Sequence, residues 1–356
     1  MVYNKNMQKL GRNEKCYCGS DKKYKKCCMN KNDNFNKKPI HIQILNAMEE
    51  ANIEECLYLD KTNCTEKIIK AHSLQNNKIL NKLSENDKVL MRSPKMSENN
   101  FEIKMEPITR SSATTFTGFC SFHDNKVFEP IENSKYNPNS LEQNALFAFR
   151  ALAKEWHAKL RAQKLCKQFL SKNPNNELMN CNLIGIELAL EDIQKHIDIF
   201  KQILLEKKYN LLKTQYIYFE PESLFAVSCG VSIPYDFEGK KLDHISYNLD
   251  LPSKFLFVTI FPEENKTHVL LSYLKKDEDF YSFLKPQLLD VDQNTQKQRI
   301  TNLVALNSEN LVLAPSCWDK FDNNQKNTFL KIFNENLTSE EKPETLGTNY
   351  GFTLFN

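Results

Sequence analysis

The sequence predicts an α+β protein, and three observations carry that expectation. Past Asn210 the chain turns into short aromatic and β-branched runs, "KTQYIYFE", "LFAVSCGVSIPY", "KFLFVTIFPE" and "THVLLSYL". Turn residues part them, which is an antiparallel sheet pattern. Ahead of these, "LEQNALFAFRALAKEWHAKLRAQKLCKQFL" spaces its apolar residues along one face of a long helix. At the N-terminus, "CYCGSDKKYKKCC" gathers four cysteines in a hydrophilic stretch that has no core to enter.

The elements follow in order. Residues 1–30 hold the cysteine module, and 31–39 have the polar, apolar-poor composition of a linker. "IHIQILNAMEEA", residues 40–51, reads as a helix or as a strand entering a helix. Ile68, Ile69, Leu74, Ile79, Leu80 and Leu83 predict a strand ending near His72, then a helix from about Asn76 to Leu83. Residues 92–112, with their Pro, Ser and Asn, read as a loop or irregular hairpin. Asn139 and Ser140 cap the long helix, "NPNNE" breaks it, and a second helix from about Leu178 to Lys208 completes a helical hairpin. Beyond the strands, helices are expected at about 277–287, 294–306 and 321–335. The segments expected are 1–30, 31–39, 40–138 as a second zinc region, 139–210 as the helical hairpin, and 211–356 as an α+β unit.

A chain of 356 residues has length for about two domains. Hydrophobic residues at 40% and aromatics at 11% suffice for a core. No run of about 18 apolar residues exists, so no membrane span is expected, and the first residues lack the apolar stretch of a secretory signal. The expected location is the cytoplasm, where eleven cysteines favour metal binding or burial over disulfides. The net charge of +3 is uneven: residues 1–40 carry 11 Lys and Arg against 3 Asp and Glu, or +8, and the other 316 sum to −5. A basic head suggests an acidic partner, while its plainer reading is a solvated tail.

Cys16, Cys18, Cys27 and Cys28 have the spacing C-x-C-x8-C-C. Zinc takes four such ligands in a tetrahedron, and the intervening lysines offset the excess negative charge of a tetrathiolate site and favour the thiolate forms. The stretch "GRNEKCYCGSDKKYKKCC" closely resembles the SEC-C motif, the zinc-binding segment at the C-terminus of the SecA translocase that is appended to many bacterial proteins. Asp21 stands where that family usually has Gly. The resemblance covers about 20 residues and implies a portable zinc module that docks on a macromolecule such as the ribosome or the SecB chaperone, while the basic charge of the head adds nucleic acid as a partner.

A second constellation comprises Cys56, Cys64, His72, Cys120 and His123. Cys120-x2-His123 is a metal-ligand spacing, and Cys56-x7-Cys64 supplies a pair across a hairpin. His72 follows the apolar run directly. By itself it is read either as a satisfied structural residue at a strand end or as a ligand with Cys56, Cys64 and one of Cys120 and His123. The ordering is similar to zinc-stabilised HNH nucleases, in which a cysteine pair precedes a strand ending in a general-base His and a second knuckle opens the next helix, a ββα-metal or treble-clef-like arrangement. The resemblance implies His72 as base and Cys120 and His123 within the structural zinc site. It also implies Asn76 or Asn77 in the place of the middle Asn, and Asp124 near a catalytic Mg²⁺ or Mn²⁺. Against the family pattern, the first cysteine pair is spaced by seven residues, and no Asp precedes His72.

Glu155, Trp156 and His157 fit the packing face of the long helix, and Cys166, Cys181, His196, Cys229 and Cys317 are isolated. His244 and His268 lack partners at ligand spacing. No P-loop, dinucleotide fingerprint or nucleophile elbow is present. Three functions are expected: a zinc-bearing adaptor whose basic head docks on a ribosome, chaperone or nucleic acid; an HNH-like nuclease of defence or toxin type; or a protein in which zinc serves only the fold.

Overall fold

The computed structural model describes residues 11–16, 22–27, 46–65, 67–96, 101–242, 253–338 and 345–356. Contacts divide the chain into two units, one of residues 1–53, 96–99 and 158–191, the other of 54–95, 100–157 and 192–356.

In the larger unit, strand β1 (Ile68–His72) pairs antiparallel with β4 (Thr115–Cys120) as a two-stranded ribbon. Between them, β2 (Lys88–Met96) and β3 (Phe101–Thr109) leave for a seven-stranded sheet of order β3-β2-β9-β6-β7-β8-β5. Its other strands are β5 (Leu212–Phe219), β6 (Phe225–Val231), β7 (Leu256–Glu263), β8 (Lys266–Leu274) and β9 (Leu311–Leu313). The recorded pairings within the sheet are antiparallel. β7 and β8 join through Glu264 and Asn265, both at positive φ (50° and 62°), the backbone that a two-residue hairpin needs to match strand twist.

Both faces of the sheet are buried, so the central strands read as nearly continuous apolar runs instead of alternating. Phe257, Phe261, Leu270 and Leu274 enter one core with the first half of helix α2 (Leu141–Lys172), the end of α3 (Glu177–Leu205), and the β1–β4 ribbon. Val258, Ile260, Val269 and Leu271, displaced by one residue, enter a second core with α4 (Gln293–Asn307) and α5 (Asn323–Thr338). This is the period-two geometry of a strand. The ribbon therefore sits on a rigid base. Helix α1 (Ser121–Val127), the remaining helix of this series, follows β4 directly.

The expected helical hairpin is present. The Ser140 hydroxyl caps α2 by accepting from the Gln143 amide at 3.2 Å, and the chain turns at 173–176. The strands expected after Asn210 are β5 to β8. Of residues 92–112, expected as a loop or irregular hairpin, 92–96 belong to β2 and 101–109 to β3, strands that are neighbours in the sheet. The hairpin alternative therefore holds and the loop does not; Pro94 and Pro107 mask the strand signal. β9 was too short to read in the sequence. The helix expected at 277–287 is broken into short helical pieces, two 3-10 turns (Lys275–Asp277 and Phe280–Phe283) and a π-helical turn (Lys285–Leu289).

In the smaller unit, a helical turn at 46–50 is tied to α2: Arg161 donates to the Met48 carbonyl and Lys164 to that of Asn52, each at 2.8 Å. The described arms of the cysteine module, 11–16 and 22–27, run antiparallel. The Cys16 amide donates to Lys22 and the Tyr24 amide to Glu14, each at 2.8 Å. A single 3-10 turn, Tyr24–Lys26, brings in Cys27. Cys18 and Cys28 lie outside the described residues, as does His244.

Candidate metal centre and cleft

The ligand atoms of Cys56, Cys64, Cys120 and His123 all lie within 4.8 Å of one another. His123 Nδ1 stands 3.4 Å from Cys56 Sγ, 3.4 Å from Cys64 Sγ and 3.3 Å from Cys120 Sγ. A tetrahedral ion with Zn–S of about 2.3 Å and Zn–N of about 2.0 Å separates its ligand atoms by roughly 3.5–3.8 Å. Three sulfurs and one imidazole nitrogen at these separations suit a metal ion, and softness of the donors favours zinc.

The chain builds this cluster from three pieces. Residues 55–57 lie along β4, where the Leu57 amide donates to the Gly118 carbonyl at 2.7 Å, and this places Cys56. An Asp60 turn, whose carboxylate accepts from the Thr62 amide, returns Cys64 beside it. Cys120 closes β4 and His123 sits in the first turn of α1, so C-x2-H straddles the strand-to-helix junction. Tyr58 packs on the His123 ring with centroids 4.5 Å apart. Gly118 is required where it stands: a Cβ there would lie 2.4 Å from the Phe116 ring.

Desolvation, with Cys56 and Cys120 close by, pushes the Cys64 thiol up to about 12. Burial also acts against the Cys120 thiolate, but hydrogen bonds from His123 and Thr65 outweigh it and bring that thiol down to about 6. The Cys64 thiol thus keeps its proton without a cation, and a bound metal would release it.

His72 is not among the clustered groups. It ends β1 opposite Thr115 and lines a cleft of about 560 Å³ with Asn76, Asn77, Asp124, Glu132 and Arg150. The cleft's walls are tied together: Gln75 donates to the Ile131 carbonyl, and Lys78 to that of Ser134 at 2.6 Å. His72 Nδ1 lies 2.9 Å from the Ala113 carbonyl, which only accepts, so Nδ1 carries the hydrogen and Nε2 keeps its lone pair. Desolvation lowers the His72 pKa. The Ala113 bond and Glu132 oppose that shift, while Arg150 and Arg110 add to it, and the ring is neutral near pH 7.

Asn76 Oδ1 and Asp124 Oδ1, on two residues that line this cleft, are buried and have no hydrogen-bond partner among the described residues. Burial raises the Asp124 pKa, with Arg150 acting in the opposite direction. Hard oxygen donors of this kind suit Mg²⁺ or Mn²⁺, not a thiophilic ion.

Comparison with known families adds one assignment. Residues 12–30 match the SEC-C motif. This family is often zinc-binding, and its match covers the Cys16, Cys18, Cys27 and Cys28 series. No curated protein matches the chain. No solved structure matches it either. Among the described residues no helix is long and apolar enough to cross a membrane.

The other residues singled out in the sequence lie elsewhere. His157 packs at the ribbon, 3.3 Å from Thr117 Oγ1, and His196 Nδ1 donates to the Asp192 carbonyl within α3 at 2.9 Å. The sequence reading passed over Arg150 and Glu132. Its one available signal was a charge inside the apolar stripe "LFAFRALA".

Proposed function

We propose that the chain is a metal-dependent hydrolase of nucleic-acid phosphodiesters, with His72 as general base in a ββα element stapled by zinc at Cys56, Cys64, Cys120 and His123. The supporting observation is the His72–Ala113 hydrogen bond at the end of β1, which fixes the tautomer of a neutral imidazole lining an open polar cleft. The strand, strand and helix order β1, β4, α1 would serve, in this reading, as the ββα element of an HNH-like nuclease.

In this reading Nε2 of His72 takes a proton from water. The resulting hydroxide oxygen bonds to phosphorus, the bond from phosphorus to the leaving sugar oxygen breaks, and that oxygen takes a proton from solvent. Asp124 and Asn76 would hold a hard divalent cation, which supplies charge stabilisation for the phosphorane and the leaving oxygen. The SEC-C head, with a second zinc on Cys16, Cys18, Cys27 and Cys28, would bring the chain to an acidic partner such as nucleic acid, the ribosome or a SecB-like chaperone.

The test is cleavage of plasmid DNA and of RNA by the full chain with Mg²⁺ or Mn²⁺, against His72→Ala. Cleavage lost in the variant supports the reading. An inert wild type with every divalent cation leaves the adaptor role, in which zinc serves docking and folding alone.

A further inference from the structure

Arg150 lies on α2, 2% exposed, in the floor of the His72 cleft. A guanidinium carries five N–H donors and never accepts. Here one donor has an acceptor: Nη1 donates to Glu132 Oε1 at 2.6 Å. The Phe128 ring backs the group, 4.0 Å from its central carbon, and covers a face without engaging the donors at its edge. Nε is buried and has no partner among the described residues. A buried arginine on a cleft wall with an unpartnered Nε–H can receive an anion that reaches it, and its planar fork matches two oxygens of a carboxylate or phosphate.

The charges around the cleft narrow the choice. Its lining has three cations, Lys70, Lys126 and Arg150, and three carboxylates, Asp124, Glu129 and Glu132. A lining that balances has no general pull on polyanions, so binding must come from aimed donors. Such a site suits a singly charged phosphodiester, and the nearby carboxylates disfavour the dianion of a terminal phosphomonoester. The polar side chains around it, Asn76, Asn77 and Asn133, offer hydrogen bonds to sugar or base edges and no apolar bed for a small hydrophobic ligand.

We propose that Arg150 binds the non-bridging oxygens of an internal phosphodiester and so selects internal linkages over terminal phosphates. This rests on the hydrolase reading of the same cleft. Glu132 holds the guanidinium in place and is a positioning residue.

The experiment measures binding of thymidylyl-(3′→5′)-thymidine and of thymidine 5′-monophosphate to the full chain without added divalent cation. Calorimetry is run on wild type, Arg150→Gln and Arg150→Lys, with the Arg150 Nε–H resonance followed by NMR in wild type. The dinucleotide is expected to bind wild type at least tenfold tighter than the monophosphate. Arg150→Gln should lose tenfold or more. Arg150→Lys should lose most of that, since an ammonium keeps the charge without the fork. The Nε–H signal should shift on titration, a readout that stands even where a variant does not fold. Dinucleotide affinity within twofold of wild type in folded Arg150→Gln, an unmoved Nε–H signal at saturation, or no binding by wild type overturns the proposal. Arg150-dependent binding with no cleavage supports it and removes only the hydrolase reading. Cleavage with an unchanged KM in Arg150→Gln removes it and leaves that reading intact.

Discussion

His72 donates Nδ1–H to the carbonyl of Ala113 at 2.9 Å, across the turn that joins β3 to β4. A residue at a strand end thereby acquires a fixed tautomer, and the imidazole's basic nitrogen is the one left for chemistry. Replacing His72 by Gln keeps a donor for Ala113 and removes the base. Cleavage should fall by ~10²–10⁴-fold while the thermal midpoint stays close to wild type, measured by single-turnover cleavage and calorimetry.

The lowered pKa of His72 has a sign that can be tested. Its ring is neutral when folded and takes a proton near pH ~6.5 when unfolded. His196 and His268 are also lowered, in each case chiefly by desolvation. All three bind protons more readily in the unfolded chain, so stability is retained above about pH 6.5 and falls as the pH drops below it. Urea unfolding between pH 7.5 and 5 should show this fall. The acid limb of kcat/KM should have its midpoint below about 6.5, set by His72 with Arg150, Glu132 and Arg110 around it.

Metal content separates the two cysteine sites. The full chain should hold two zinc ions, and Cys120→Ser should hold one, with loss of near-native melting because β4 and α1 lose their common anchor. Elemental analysis with thermal melts reads both. Since Cys64 stays protonated without metal, zinc uptake should release protons, seen as a dependence of calorimetric heat on the buffer's ionisation enthalpy.

Gly118→Ala places a methyl group 2.4 Å from the Phe116 ring, and Phe116 is 5% exposed. The ring must move within a packed core, at a cost of about 1–3 kcal/mol. Because Leu57 bonds to the Gly118 carbonyl next to Cys56, zinc affinity should drop as well. Equal stability and affinity in the variant would mean the ribbon is softer than its packing implies.

Periodicity made much of this fold legible. β1 followed from Ile68 and Ile69 ahead of His72, α2 from its apolar stripe, and β5 to β8 from their aromatic runs. β9 has three residues and owes its place between β2 and β6 entirely to tertiary pairing, so no local pattern announces it. Ligand chemistry singled out Cys56, Cys64, Cys120 and His123, but their meeting depends on a ribbon that joins residues up to 67 apart in sequence. Sequence separation also hides Arg150, whose partner Glu132 lies 18 residues away and whose cleft neighbour His72 is brought to it only by folding.

Imidazole rescue tests the central claim most directly. His72→Gly removes the base and leaves space at the end of β1, so free imidazole should restore metal-dependent cleavage in a saturable way, with a pH dependence that follows imidazole's own ionisation. Wild type should be indifferent to imidazole. A variant that cleaves as fast as wild type without imidazole would contradict His72 as the general base.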